Sequence, residues 1–235
     1  MEGLSNSQLL RRKIALVLGE LLTASGKLTT HPHQKELYQE YLFTVHCIIR
    51  ASVPLMEKAY TVAQTLEASD SVAHGLAVYL KKHIKEEMHH DDWLLDDLEV
   101  VGIRRSQVLA RLPSPTVASL VGSQYYWIFH THPVALLGYI AVLEGYPPTR
   151  EFIEDLKQKT GYPDDAFRTL AKHGYLDPYH RDDLNEAIDE LPLESQHHTL
   201  ISMNAMQTVH LGARSFQEMV GHVQQNLGDS LHTSS

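Results

Sequence analysis

Apolar residues recur at three- and four-residue intervals along nearly the whole chain, the spacing that puts them on one face of an α-helix. Leu9, Leu10, Ile14, Leu16, Val17, Leu21 and Leu22 predict a first helix. Leu37, Tyr41, Leu42, Val45 and Ile49 predict a second, starting near Gln34 and breaking near Pro54. Segments 55–67 and 71–101 carry the same pattern, the latter as one long helix ended by Gly102. Another long helix is expected over 115–143, with Ser114 as N-cap, Pro115 at the first helical position, and Gly145, Pro147 and Pro148 as its stop. Shorter helices follow near 149–159, 163–173 and 178–190, then a final one over about 194–227. No two-residue hairpin turn and no sustained apolar–polar alternation predicts a strand. The expected fold class is all-α, with seven to nine helices in a single domain over residues 1–227 and a flexible polar tail over 228–235.

Length and composition agree with one ordered domain: 235 residues, 43% apolar and 21% charged. Charge narrows the partners. With 20 basic against 29 acidic side chains the net charge is −9, which repels phosphate backbones and anionic lipids, so neither nucleic acid nor membrane is expected. No apolar run reaches the roughly 18–20 residues that span a bilayer, and the residues after Met1 lack the form of a secretory signal. Cys47 is the only cysteine, so neither a disulfide framework nor a thiolate metal site is available. A cytoplasmic protein is expected, with a homodimer as the base expectation for its oligomeric state.

Sixteen histidines change the picture because several sit at helical spacing from carboxylates. In residues 83–92, His83, Glu87 and His90 occupy i, i+4 and i+7 and would share one helix face. Glu87 and His90 form the Glu-x-x-His unit that helical bundles use to hold two metal ions; a charged, solvated face would read the same way. His173, Asp177 and His180 repeat the i, i+4, i+7 spacing. There Asp177 could equally cap a helix begun by Pro178, and a break at that point would aim ligands from two half-helices. Glu144 ends the apolar run from Ala135 to Leu143, either emerging into solvent or buried against a cation. Imidazole and carboxylate without thiolate suit iron, manganese or zinc. The remaining candidates have structural readings: the aromatic run Tyr125, Tyr126, Trp127 and Phe129 as core, His31 and His33 as a solvated loop, and His130, His132, His197, His198 and His210 as ordinary helix or loop histidines.

Three stretches carry a likeness to a known family. They are His83-x-x-Glu86-Glu87-x-x-His90-Asp91-x-x-Leu94-x-x-Asp97-Leu98-x-x-x-Gly102, then Ala135-Leu-Leu-Gly-Tyr-x-x-x-Leu143-Glu144-Gly, then His173-x-x-x-Asp177-x-x-His180. In this order the chain resembles the heme-oxygenase-like diiron oxidases, or iron-containing redox enzymes, within the heme oxygenase/thiaminase-II-like superfamily. The resemblance implies a heme-oxygenase-like helical bundle and an oxidoreductase that uses dioxygen to oxidise or fragment a small amino-acid- or fatty-acid-like molecule. It implies two Fe(II) ions per chain, with Mn or Zn as substitutes, and ligands at His90, Glu144, His173, Asp177 and His180, with Glu144 bridging. In several members a Glu stands seven residues before the first ligand histidine. His83 is found there instead, so Glu87 from the next turn, or His83 itself in a His-richer site, completes the set. The alternative of the same fold is a metal-free thiaminase-II-like hydrolase or small-molecule-binding protein, for which Cys47 beside His46 is the sole candidate nucleophile.

Overall fold

The computed structural model describes residues 3–232, with side chains described through residue 228. Among these residues the fold is all-α. The helices are α1 (Asn6–Ser25), α2 (Lys27–Thr30), α3 (Gln34–Ile49), α4 (Ser52–Leu66), α5 (Ser71–Glu87), α6 (His90–Val100), α7 (Arg105–Ala110), α8 (Pro115–His130), α9 (Leu136–Leu143), α10 (Arg150–Thr160), α11 (Arg168–Glu190) and α12 (Ser195–His232), with 3-10 turns at Pro133–Ala135 and Asp164–Phe167. Nine of the helices have eleven residues or more, which matches the number expected; α2 and α7 are short elements the apolar pattern does not predict.

Local chemistry accounts for the principal boundaries. The Ser5 hydroxyl accepts from the Gln8 N–H at the start of α1, and Asp70 accepts from the Val72 and Ala73 N–H groups at the start of α5. Ser114 caps α8 ahead of Pro115, as its sequence predicts. Pro54 falls in the first turn of α4 rather than in a break, because a missing N–H costs nothing there.

Several expected helices have different limits. The segment 71–101 is two helices separated by Met88 and His89, with His89 in the left-handed region at φ 69°. The segment 115–143 breaks at Thr131 and His132 before Pro133. Conversely, 163–173 and 178–190 belong largely to one helix: α11 runs through Pro178, so Asp177 is not an N-cap. Pro178 has no N–H for the Gly174 carbonyl, and at Gly174 an added Cβ would lie 2.8 Å from the Pro148 carbonyl oxygen. The final helix continues past 227 to His232, while 233–235 of the expected tail lie outside the described residues.

Two hydrophobic clusters build the core. One joins Ile14, Leu55, Leu76, Leu80, Leu137 and Val209 from α1, α4, α5, α9 and α12. The other joins Leu37, Leu42, Leu98, Leu156, Phe167 and Met219 from α3, α6, α10, the Asp164–Phe167 turn and α12. Long α12 packs along α1 and α9 and also against α8 and α3. At Gly138 the α9 backbone comes so near α12 that a Cβ would meet the Ile201 carbonyl oxygen at 2.2 Å. No helix among the described residues is long and apolar enough to cross a membrane.

Candidate metal centre

Four helices converge on one buried cluster. His83 and Glu87 lie one turn apart at the end of α5. The left-handed turn at His89 then restarts the chain so that His90 opens α6. These three therefore do not share a single helix face, as their spacing predicts, yet the turn returns His90 to Glu87. Glu144 is the C-cap residue of α9. His173, Asp177 and His180 project from successive turns of α11.

The cluster contains two trios whose candidate donor atoms all lie within 4.8 Å of one another: His83, Glu144 and His180, and Glu87, His90 and His173. His83 and Glu87 are thus both present, one in each trio. Asp177 belongs to neither but is buried on the same helix and stands in the wall of the adjoining cavity. The trios are joined through Glu87, whose Oε1 is 3.2 Å from His180 Nδ1 while its Oε2 is 3.1 Å from His90 Nδ1. His83 Nε2 and Glu144 Oε1 are 2.9 Å apart and hydrogen-bonded.

Orphaned polar atoms give the cluster its meaning. His83 Nδ1, Glu87 Oε1, His90 Nδ1, Glu144 Oε2, Asp177 Oδ1 and His180 Nδ1 are sealed from solvent without a hydrogen-bond partner. Several are close enough to bond one another but lack the angles, so they converge without pairing. His173 differs: its Nδ1–H donates to the Thr169 carbonyl at 2.9 Å, which leaves Nε2 as the free lone pair. Burying three carboxylates beside four imidazoles with these atoms unsatisfied is costly unless a cation takes their lone pairs. Nitrogen and oxygen donors without thiolate fit iron, manganese or zinc.

The charges behave accordingly. Burial opposes protonation of His83, but Glu144, with Glu87 and Glu86, holds its pKa up at about 9. Burial pushes the Asp177 carboxyl up to about 8, and the charges of Glu144 and Glu87 add to this. Burial would raise Glu87 as well, but His90, with His83 and His173, brings it below the usual carboxylate range. Burial draws His173 below the ordinary imidazole value against the pull of the Thr169 carbonyl.

Beside the cluster lies a cavity of about 470 Å³ between the two hydrophobic clusters. Its wall is mainly aliphatic and aromatic, with Glu87, Glu144, His173 and Asp177 on the wall as well. Tyr139 and Tyr146 are also in the wall, whereas exposed Tyr175 and Tyr179 are not. Cys47 is buried in the second hydrophobic cluster, outside the cavity lining, and burial pushes its thiol pKa up.

Other candidates resolve elsewhere. His132 pairs with Asp70 at 3.0 Å and lies tilted against His197 with ring centroids 5.1 Å apart, away from the cluster. Exposed His210 faces Glu20, and His31, expected in a solvated loop, is buried.

Sequence reasoning missed three supporting side chains. Asp97, fully buried, accepts from the Thr169 N–H at 2.9 Å and so anchors the first turn of α11. Arg11 donates to the Ala141 carbonyl at 2.7 Å and to Asn185, tying α1 to the end of α9 and to α11. Trp93 stacks on His90 with centroids 4.0 Å apart, and Lys172 Nζ lies 3.6 Å from the Trp93 ring centroid. Asp97 lies inside the first motif stretch, but nothing in its spacing distinguishes a helix anchor from a surface acid.

Fold, donor set and sequence meet in one classification: the chain belongs to the iron-containing redox enzyme family, whose sequence profile matches residues 81–223. That span holds all seven candidate ligands. Among solved structures the chain is similar to a domain of unknown function with a heme oxygenase-like fold from Shewanella denitrificans, at 18% identity over 92% of both chains with a TM-score of 0.78. It is similar to heme oxygenase-1 from Synechocystis, solved in complex with heme, at 13% identity over 98% of this chain and 99% of that one, with a TM-score of 0.69. A TenA homolog from Pseudomonas syringae pv. tomato matches at 10% identity over 88% and 92% of the two chains, with a TM-score of 0.64. These likenesses establish the heme oxygenase-like fold. No curated protein matches the sequence.

Proposed function

We propose that this chain is a non-heme diiron oxidase or oxygenase that uses dioxygen to oxidise or fragment a small amino-acid- or fatty-acid-like substrate held in the cavity. The observation that carries the proposal is the convergence of unpartnered donor atoms in two adjacent trios. His83, Glu144 and His180 would hold one ion, and Glu87, His90 and His173 the other. Iron(II) bound there would supply the electrons that dioxygen needs to react.

The chain's own residues set the conditions. The Thr169 carbonyl fixes the His173 tautomer. Asp97 and Arg11 hold the helices from which the ligands project. The apolar wall excludes water from the reacting face and favours a largely hydrocarbon substrate. The hydrolase alternative has less support, because its one candidate nucleophile, Cys47, is buried away from the cavity wall.

The test is oxygen uptake after anaerobic ferrous loading, compared between wild type and Glu144→Ala. Iron-dependent uptake, lost in the variant, is expected. No iron-dependent uptake, together with stoichiometric heme binding on titration, would move the chain to heme chemistry.

A further inference from the structure

Four of the ten hydroxyls in the cavity wall are already committed. Thr208 donates to the Asn204 carbonyl, Ser215 to the Leu211 carbonyl and Ser25 to the Leu22 carbonyl, while Thr149 caps α10. The Tyr139 and Thr169 hydroxyls have no partner but are sealed from solvent. Four others remain open: Ser52 at the start of α4, Tyr146 after the end of α9, and Tyr41 and Thr44, the two that share one helix. Both line the cavity, neither hydroxyl has a hydrogen-bond partner, and neither is among the sealed polar atoms. They stand at i and i+3 on α3, so their side chains share one face of that helix. The Tyr41 ring is held in place, stacked at 6.0 Å on both Tyr38 and Phe216.

An uncommitted hydroxyl pair on one helix of a mainly apolar wall is a point of orientation for a ligand, because each buried hydroxyl without a partner costs free energy that a matching polar group recovers. The charge of the group it meets is constrained too. No lysine or arginine lines the cavity, and the nearby acidic side chains Asp177, Glu87 and Glu144 disfavour a second anion at this wall. We infer that Tyr41 and Thr44 bind an uncharged hydrogen-bonding group, such as a hydroxyl, carbonyl or amide, on an otherwise apolar substrate, and so set which part of it faces the metal centre. As a statement about substrate this rests on the proposed function, but the hydroxyl pair is testable without metal.

The experiment uses the metal-free full chain and two probes, 1-octanol and toluene, titrated calorimetrically into wild type, Tyr41→Phe, Thr44→Val and Tyr139→Phe. Tyr41→Phe and Thr44→Val should each weaken 1-octanol about fivefold, with toluene held within about twofold, while Tyr139→Phe changes neither. The inference is overturned by 1-octanol affinity that ignores both substitutions, by equal weakening of the two probes, or by a wild-type cavity that binds neither. None of these outcomes alters the iron content on which the proposed function depends, so the two readings fail separately.

Discussion

His180 Nδ1 and Glu87 Oε1 approach to 3.2 Å across the boundary between the two trios, and neither atom is hydrogen-bonded to the other. A carboxylate that reaches both His90 and His180 from one position is placed to bridge, and the loss of that bridge should be felt at both trios. Glu87→Ala should therefore drop bound iron well below one per chain, whereas His83→Ala, which removes a donor from one trio only, should leave about one. Metal analysis after gel filtration checks this. An unchanged two irons in His83→Ala would place His83 outside the coordination and make it a partner of Glu144 alone.

The metal-free chain should lose stability as pH rises from 7 to 9. Asp177, raised from 3.8 to about 8, contributes stability in full below pH 3.8 that is lost as pH climbs to about 8. His83, raised from 6.5 to about 9, contributes stability that is lost between those values. His173 and Glu87, both lowered, act in the opposite sense, but their contributions are lost as pH falls through or below their own lower range. Each proton involved changes stability by up to about 1.4 kcal/mol per pH unit. Thermal melts at pH 7 and pH 9 should show the decline, and Asp177→Asn should flatten it below pH 8. A melting temperature that rises over this window contradicts the assignment.

Much of the site was legible because helical spacing carries chemistry in the sequence. The i, i+4, i+7 set His173, Asp177 and His180 survives intact on α11, since a helix preserves spacing as geometry. The set around His90 survives for a different reason: the left-handed residue His89 interrupts the helix, and the α5–α6 turn rather than periodicity returns His90 to Glu87. An apolar pattern cannot show such a turn, because both flanking helices keep their buried faces. Pro178 misleads in the opposite direction, since local propensity reads it as a helix start while the surrounding packing keeps α11 continuous. Tyr41, Asp97 and Arg11 were not legible as site residues because their roles depend on which distant helices pack together.

Close backbone packing at α9 should make Gly138→Ala severe. The new Cβ would meet the Ile201 carbonyl oxygen at 2.2 Å and the Ala205 nitrogen at 2.8 Å, both backbone atoms that cannot turn aside. A loss of about 3 kcal/mol or more is expected, and it should carry Glu144 out of register. Gly122→Ala is the control: it sits exposed inside α8 with nothing within 4 Å of its Cβ, and should gain about 0.5–1 kcal/mol. Urea unfolding of the two variants checks the contrast, and equal effects would refute the packing argument.

Trp93 should report metal binding without any turnover. Its ring stacks on His90 at 4.0 Å, so a paramagnetic ion held by His90 should quench its emission. Titrating Mn(II) should lower fluorescence in wild type and Trp127→Phe but not in Trp93→Phe, the chain having two tryptophans. A response that persists in Trp93→Phe would place the ion elsewhere.

Iron stoichiometry tests the central claim most directly. Anaerobic ferrous loading followed by desalting should leave near two irons per wild-type chain and almost none when His90 and His180, one from each trio, are both replaced by alanine. Background iron in the wild type, or full binding in the double variant, would contradict a metal centre built from these two trios.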